Sequence, residues 1–258
     1  MALYALVSAG GSPGVTTSAL ALALSWPSPV VVAECDPSGG DVLAGLFAGH
    51  LEARSGLLAL VMEAGASPEA MAAGLWQQLV DLDGDGSRRL LPGITDPRQA
   101  AGLEPSWAAL ATGLAAVQAD VIADCGRLDL YAASAPLLAT ASLAVLVLRP
   151  TLRQASKARQ RIEMLTEIRG GSQRLALLLV GKGTHSGREV QRALGVPVVG
   201  SLQEDGKTAS MLSDGTGSRR GIASRPLLRS ARPAGKALRE FVPSGSVVST
   251  GPIEGWHA

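Results

Sequence analysis

Aromatic residues make up only 3% of the 258-residue chain, so rings cannot fill its interior. Ala, Leu, Val and Gly must do so instead, as in layered α/β proteins whose buried strands are continuous aliphatic runs. Charge is also thin: 17% of residues are Asp, Glu, Lys or Arg, and the formal net charge is +1. That balance gives no overall pull toward nucleic acid or anionic lipid. Cys35 and Cys125 are too few for a disulfide framework and lack metal-ligand spacing; reduced core thiols are expected rather than a redox pair. Lysine is confined to Lys157, Lys182, Lys207 and Lys236, while arginine is plentiful. No charged segment precedes an apolar stretch near Met1, and Pro, Gly or charge interrupts every apolar run before membrane-span length. The expectation is a soluble, cytoplasmic protein that meets a membrane only through partners.

What the chain has in quantity is alternation. Aliphatic runs at Leu3–Val7, Val30–Ala33, Leu90–Leu91, Asp120–Ala123, Leu143–Leu148, Leu175–Val180 and Val196–Val199 read as strands. Amphipathic segments at Asp41–Ala48, Pro68–Leu79, Pro105–Val117, Leu152–Ile168 and Arg188–Leu194 read as helices. This pattern predicts a three-layer α/β/α domain with a mainly parallel sheet of about seven strands, spanning residues 1–241. A last helix over Pro226–Phe241 should break or start late at Pro233. The Pro-, Ser- and Gly-rich tail, 242–258, reads as disordered, and its stretch from Ser246 has no basic amphipathic face for a membrane. The polar run Asp81–Arg89 lacks the closing Glu of a calcium loop and is expected to be an exposed connection.

Residues 7 to 17, Val-Ser-Ala-Gly-Gly-Ser-Pro-Gly-Val-Thr-Thr, lead from the first strand into an Ala/Leu-rich helix. Glycines in such a turn let backbone N–H groups wrap a phosphate at a helix N-terminus. Gly11, Ser12, Pro13, Gly14, Val15, Thr16 and Thr17 are therefore the candidate phosphate-binding residues. A P-loop places Lys just before the hydroxyl pair; this chain has Val15 there. Two acidic strand ends join the loop in sequence logic. Val30–Asp41 carries Glu34 and Asp36 before a Pro-Ser-Gly-Gly turn, and Ala119–Gly126 is an apolar strand ending in Asp124. Acidic groups at such positions hold Mg²⁺ through water or orient an attacking water.

In this order, these segments resemble the MinD/ParA family of deviant Walker A ATPases, which includes the CpaE/TadZ proteins of pilus assembly. The family loop Lys-Gly-Gly-x-Gly-Lys-Thr-Thr corresponds to Gly10–Thr17, and its Asp-x-Asp-Pro-x-Gly strand end to Glu34–Gly39. Leu91–Gly93 falls at its third core strand, Asp124 at its Walker B aspartate, and Gly195–Asp205 at its late Pro-x-Asp element. The likeness runs over roughly residues 3 to 240. It implies a P-loop NTPase-like fold of the SIMIBI type, ATP or ADP with Mg²⁺ as ligands, and a homodimer. Thr16, Asp36 and Asp124 would be the metal-site residues, and Asp36 the group that orients water. Partners implied are a pilus or secretion ATPase, a partitioning protein or nonspecific DNA.

The departures carry as much information. Both family lysines are missing, at Gly10 and Val15, and Leu178-Leu-Val-Gly-Lys182 replaces the strand end whose Asn reads adenine. Losing a charge-assisted bond to phosphate costs roughly 1.5–3 kcal/mol, and losing a catalytic cation costs on the order of 10³-fold in rate. Weak binding with slow or absent hydrolysis is the expectation. Arg127 or Arg149, each just beyond a strand end, would be the substitute cation if one exists; otherwise both are rim arginines. Thr16 and Thr17 equally suit plain helix capping, Asp36 a turn cap over Ser38 and Gly39, and Asp124 a structural bond to Thr16. Helix Leu152–Ile168 shows an apolar face (Leu152, Ala155, Ile162, Leu165, Ile168) opposite a basic stripe (Arg153, Lys157, Arg161). That stripe, with Arg219, Arg220, Arg225, Arg229 and Arg232, is either a DNA- or lipid-facing patch or a solvated surface.

Overall fold

A computed structural model describes residues 1–10, 14–47, 56–128, 133–171, 174–217 and 220–242. In chain order the first half comprises β1 (Leu3–Ser8), α1 (Val15–Leu24), β2 (Val30–Glu34), α2 (Val42–Leu46), α3 (Leu57–Ala64), α4 (Pro68–Gly74), β3 (Val80–Asp81), β4 (Arg88–Leu91), α5 (Arg98–Gly102) and α6 (Trp107–Ala116). The second half comprises β5 (Asp120–Arg127), α7 (Ala135–Thr140), β6 (Leu143–Leu148), α8 (Leu152–Arg169), β7 (Leu175–Val180), α9 (Gly187–Leu194), β8 (Val198–Leu202), α10 (Gly206–Asp214) and α11 (Pro226–Phe241).

The strands form one sheet in the order β3-β4-β2-β5-β1-β6-β7-β8. Every pairing is parallel except β3 with β4, so the sheet has eight strands rather than about seven. The added strand is a two-residue edge hairpin, too short for periodicity to reveal. β1 lies at the centre between β5 and β6. Strand alternation divides the interior into two cores. Leu3, Ala5 and Val7 face α3, α4 and α6–α9, whereas Tyr4 and Leu6 face α1, α2, α10 and α11. The result is the three-layer α/β/α arrangement expected from the alternation of aliphatic and amphipathic segments.

Three sequence expectations need correction. Pro233 does not break α11, which is continuous over Pro226–Phe241. Pro233 is exposed, so its lost backbone bond faces water, while Leu227, Leu228, Ala231, Ala234 and Leu238 are buried beneath it and hold the helix. Leu152 is 72% exposed, not part of the apolar face of α8. Gln154 is buried in that first turn instead, with its side-chain oxygen accepting the Arg149 N–H at 2.9 Å. The last strand starts at Val198 rather than Val196, because Pro197 has no N–H to donate and contributes its carbonyl to Leu177. The carboxylates of the Asp81–Arg89 connection serve the turn itself: Asp81 accepts the N–H groups of Asp83 and Gly84, both at 3.0 Å. The tail 243–258 lies outside the described residues. Among the described residues no helix is long and apolar enough to cross a membrane.

Candidate functional site

Parallel strands with helical crossovers bring all their C-terminal ends to one edge, and the ligand crevice of such sheets opens where the strand order reverses. Here that place lies beside β1, which β5 separates from β2 although β1 and β2 are consecutive. A cavity of about 500 Å³ opens there, in the size range of small-molecule sites. Its lining includes Gly14, Thr16, Thr17, Asp36, Asp41 and Arg127.

The floor of the cavity is the start of α1. Gly14 has φ +82°, a left-handed conformation that a side chain would strain, and among the described residues no side chain caps the helix. The first helical bond runs from the Ser18 N–H to the Gly14 carbonyl at 2.8 Å. The amides of Val15, Thr16 and Thr17 therefore precede the intrahelical ladder and point their positive ends out of the helix. Thr16 and Thr17 are not caps, which removes the plain capping explanation for the pair. Val15 is only 6% exposed and packs into the core beneath α1, so its position supplies bulk and no charge. Gly11, Ser12 and Pro13 lie outside the described residues.

The acidic residues divide into distinct roles. The Asp124 carboxylate is buried within β5, which runs on to Arg127 rather than ending at this residue; it accepts the Gly126 N–H at 3.0 Å and lies near the Thr16 hydroxyl. Burial pushes its pKa up to about 6 against those two donors, and the nearby Asp36 and Asp41 charges add to the rise. Asp36 accepts the Ser38 N–H through Oδ1 at 2.8 Å, so it does cap the turn, yet its carboxylate also lines the cavity. It lies so close over Gly126 (φ +62°) that a Cβ there would meet Oδ2 at 1.9 Å. Glu34, grouped with Asp36 by sequence, does not line the cavity. Its two oxygens accept the N–H groups of Val42 and Gly93, each at 3.1 Å, and so tie β2 to α2 and to the segment after β4. Burial raises its pKa to about 7, only partly offset by those two donors.

Among the described residues no three His, Cys, Asp or Glu side chains converge as a metal cage. The arrangement suits a cation that keeps most of its waters and leans on one or two carboxylates and on phosphate, as Mg²⁺ does. Of the two candidate arginines, Arg149 is held by Glu204 at 3.0 Å, away from the cavity. Arg127 lines the cavity and, among the described residues, makes no ion pair. Cys35 and Cys125 are fully buried core residues, and burial raises both thiol pKa values. Asp41, Leu212 and Ser213 also line the cavity and were not singled out by sequence. The Asp36–Asp41 interval was a signal for the first of these: a turn closed by the Gly39 N–H to the Asp36 carbonyl brings the chain back toward the site.

No protein-family model matches the chain, and no curated protein matches it. Solved structures do. A ParA family ATPase from Chlorobium tepidum superposes with a TM-score of 0.69 at 16% identity, covering 91% of this chain and 98% of that one. The septum site-determining protein MinD of Pyrococcus horikoshii, complexed with Mg-ADP, gives 0.68 at 16% identity, with 93% and 96% covered. MinD in the MinC:MinD cell division complex of Aquifex aeolicus gives 0.66 at 15% identity, again with 93% and 96% covered. The chain thus has the three-layer fold of the MinD and ParA ATPases along nearly its whole length.

Proposed function

We propose that this protein is a MinD/ParA-like positioning or assembly factor, closest in character to the CpaE/TadZ proteins, with a degenerate nucleotide site. It binds ATP or ADP with Mg²⁺ weakly, hydrolyses it slowly or not at all, and acts by dimerising and recruiting a partner such as a pilus or secretion ATPase. One observation carries the reading: the cavity at the start of α1 keeps Thr16, Thr17 and Asp36 in its lining, while a buried Val15 stands where the catalytic cation belongs.

The amides of Val15, Thr16 and Thr17 would hold phosphate oxygens. The Thr16 hydroxyl, and Asp36 and Asp124 through water, would hold Mg²⁺. Bound there, Mg²⁺ neutralises charge on the phosphates. Asp36 lines the cavity from the turn after β2 and would orient water. Val15 offers no donor to charge developing in a transition state, which limits turnover while leaving the amide cradle in place. A cell division protein complex and a putative plasmid partition protein that share this fold support the positioning role.

Arg127 favours a second reading, a slow Mg²⁺-dependent ATPase of chromosome or plasmid partitioning in which its guanidinium replaces the lysine. A third, a DNA- or membrane-associated module without nucleotide, rests on the exposed Arg153 and Lys157. Titrating the protein with fluorescent ATP and Mg²⁺, then measuring phosphate release, separates the three. Saturable binding with little release supports the first reading. Release lost in both Asp36→Ala and Arg127→Ala supports the second. No binding at millimolar nucleotide, with salt-sensitive DNA retention abolished by Arg153→Glu, supports the third.

A further inference from the structure

The loop has no lysine, but a lysine stands over it. Gly10 has φ +136°, and a Cβ built there would lie 3.7 Å from Cδ of Lys157 and 3.9 Å from its Nζ. The stem of Lys157 therefore covers the face of Gly10 that a side chain would occupy. The topology explains the approach: β6 pairs with β1 in parallel, with Ser8 opposite Val147, so α8 begins beside the end of β1. Thr151 caps α8 by accepting the Gln154 N–H, which fixes the helix start and the direction of its first turns. Lys157 is exposed and, among the described residues, makes no hydrogen bond or ion pair, whereas Arg149 on the same edge is committed to Glu204.

We propose that Lys157 is the phosphate-binding cation of this site, delivered from α8 to the Gly10 end of the loop to engage the phosphate chain of a nucleoside di- or triphosphate. The proposal deepens the nucleotide reading above and rests on it. The ammonium stands against bare glycine backbone at one end of the loop whose other end is the start of α1, so positive features mark both ends. A bound polyphosphate satisfies both. Arg127, at the end of β5, lines the cavity as a second cation.

The test is nucleotide affinity in Lys157→Ala, Lys157→Arg and, as a matched charge loss on the same edge, Lys207→Ala. Lys157→Ala should weaken Mg-ATP and Mg-ADP binding about tenfold to a hundredfold, the range for a lost charge-assisted bond. Lys157→Arg should restore most of it, and Lys207→Ala should change it by less than about twofold. Adenosine affinity should not respond to any of them. Wild-type binding that Lys157→Ala leaves unchanged overturns the proposal and spares the nucleotide reading. If the wild type binds no nucleotide at millimolar concentration, the nucleotide reading fails, and amine acylation followed by mass spectrometry decides the rest. Pyrophosphate that slows labelling of Lys157 but not of Lys207 upholds the cation's role. Equal labelling of both with and without pyrophosphate overturns it.

Discussion

Glu34 and Asp124 make the stability of the protein depend on pH with a sign opposite to that of most carboxylates. Each is a buried acid whose folded pKa lies above its unfolded value: about 7 against 4.5 for Glu34, and about 6 against 3.8 for Asp124. Below its unfolded pKa each group is protonated in both states. As pH rises toward the folded pKa, the unfolded chain releases the proton first, so the folded chain binds more protons and loses stability. Between pH 5 and 7 Glu34 alone should remove about 2 kcal/mol, and Asp124 about 1 kcal/mol more between pH 5 and 6, at about 1.36 kcal/mol per pKa unit. The exposed acids held low by hydrogen bonds, such as Asp81, Asp96 and Glu189, act below this window. Urea unfolding at pH 5, 6, 7 and 8 should therefore show stability falling by roughly 3–4 kcal/mol and levelling above pH 7. Glu34→Gln carries no titrating proton and should flatten most of that slope, whatever its effect on absolute stability. Stability that rises from pH 5 to 8, or a Glu34→Gln slope equal to the wild type's, would refute the reasoning.

Other substitutions probe the geometry around the cavity and behind it. Gly126→Ala combines a left-handed residue, about 1–2 kcal/mol for an L side chain, with a Cβ 1.9 Å from Asp36 Oδ2. It should destabilise the protein, and adding Asp36→Ala should recover all but the backbone share in a double-mutant cycle; no recovery would show that the carboxylate is not in the way. Gly45→Ala places a Cβ 1.8 Å from the Ser213 carbonyl, so α2 and α10 must separate. Hydrogen exchange in 206–214 should accelerate with a loss of roughly 1–3 kcal/mol, whereas Gly102→Ala, with open space around it, should be neutral or stabilising. Trp26→Phe removes the indole N–H that Asp120 accepts at 2.9 Å, on the opposite side of the sheet edge from the cavity. Asp120 keeps the Ala2 N–H and Arg239, so the urea-measured loss should be about 1.5–3 kcal/mol, with nucleotide binding unchanged.

How much of this was legible in the sequence follows from the range of each interaction. β1, β6 and β7 could be read almost to the residue because central strands buried on both faces leave unbroken aliphatic runs. β3 could not, since two residues of an antiparallel hairpin have no periodicity. Pro233 and Leu152 misled for a shared reason: whether a residue breaks a helix or joins the core depends on which side faces the sheet, and the chain alone does not say. The site was half visible. Thr16, Thr17 and Asp36 follow strand ends and reach one edge by the parallel topology, whereas Asp124, expected to end its strand, lies inside β5 because the strand continues to Arg127. The assignment of Glu34 to backbone ties, the cavity lining by Ser213 of α10, and the stem of Lys157 over Gly10 all depend on contacts between segments far apart in the chain.

The central proposal is that the cradle at Gly14–Thr17 holds a nucleotide and that Val15 leaves it without the cation needed for rapid cleavage. Mg-ATP binding and phosphate release, measured side by side for the wild type and Val15→Lys, test it most directly. The wild type should bind weakly and release little phosphate, and Val15→Lys should bind about tenfold to a hundredfold more tightly. A folded Val15→Lys protein with unchanged affinity, or a wild type that already releases phosphate as fast as Val15→Lys, would contradict the account.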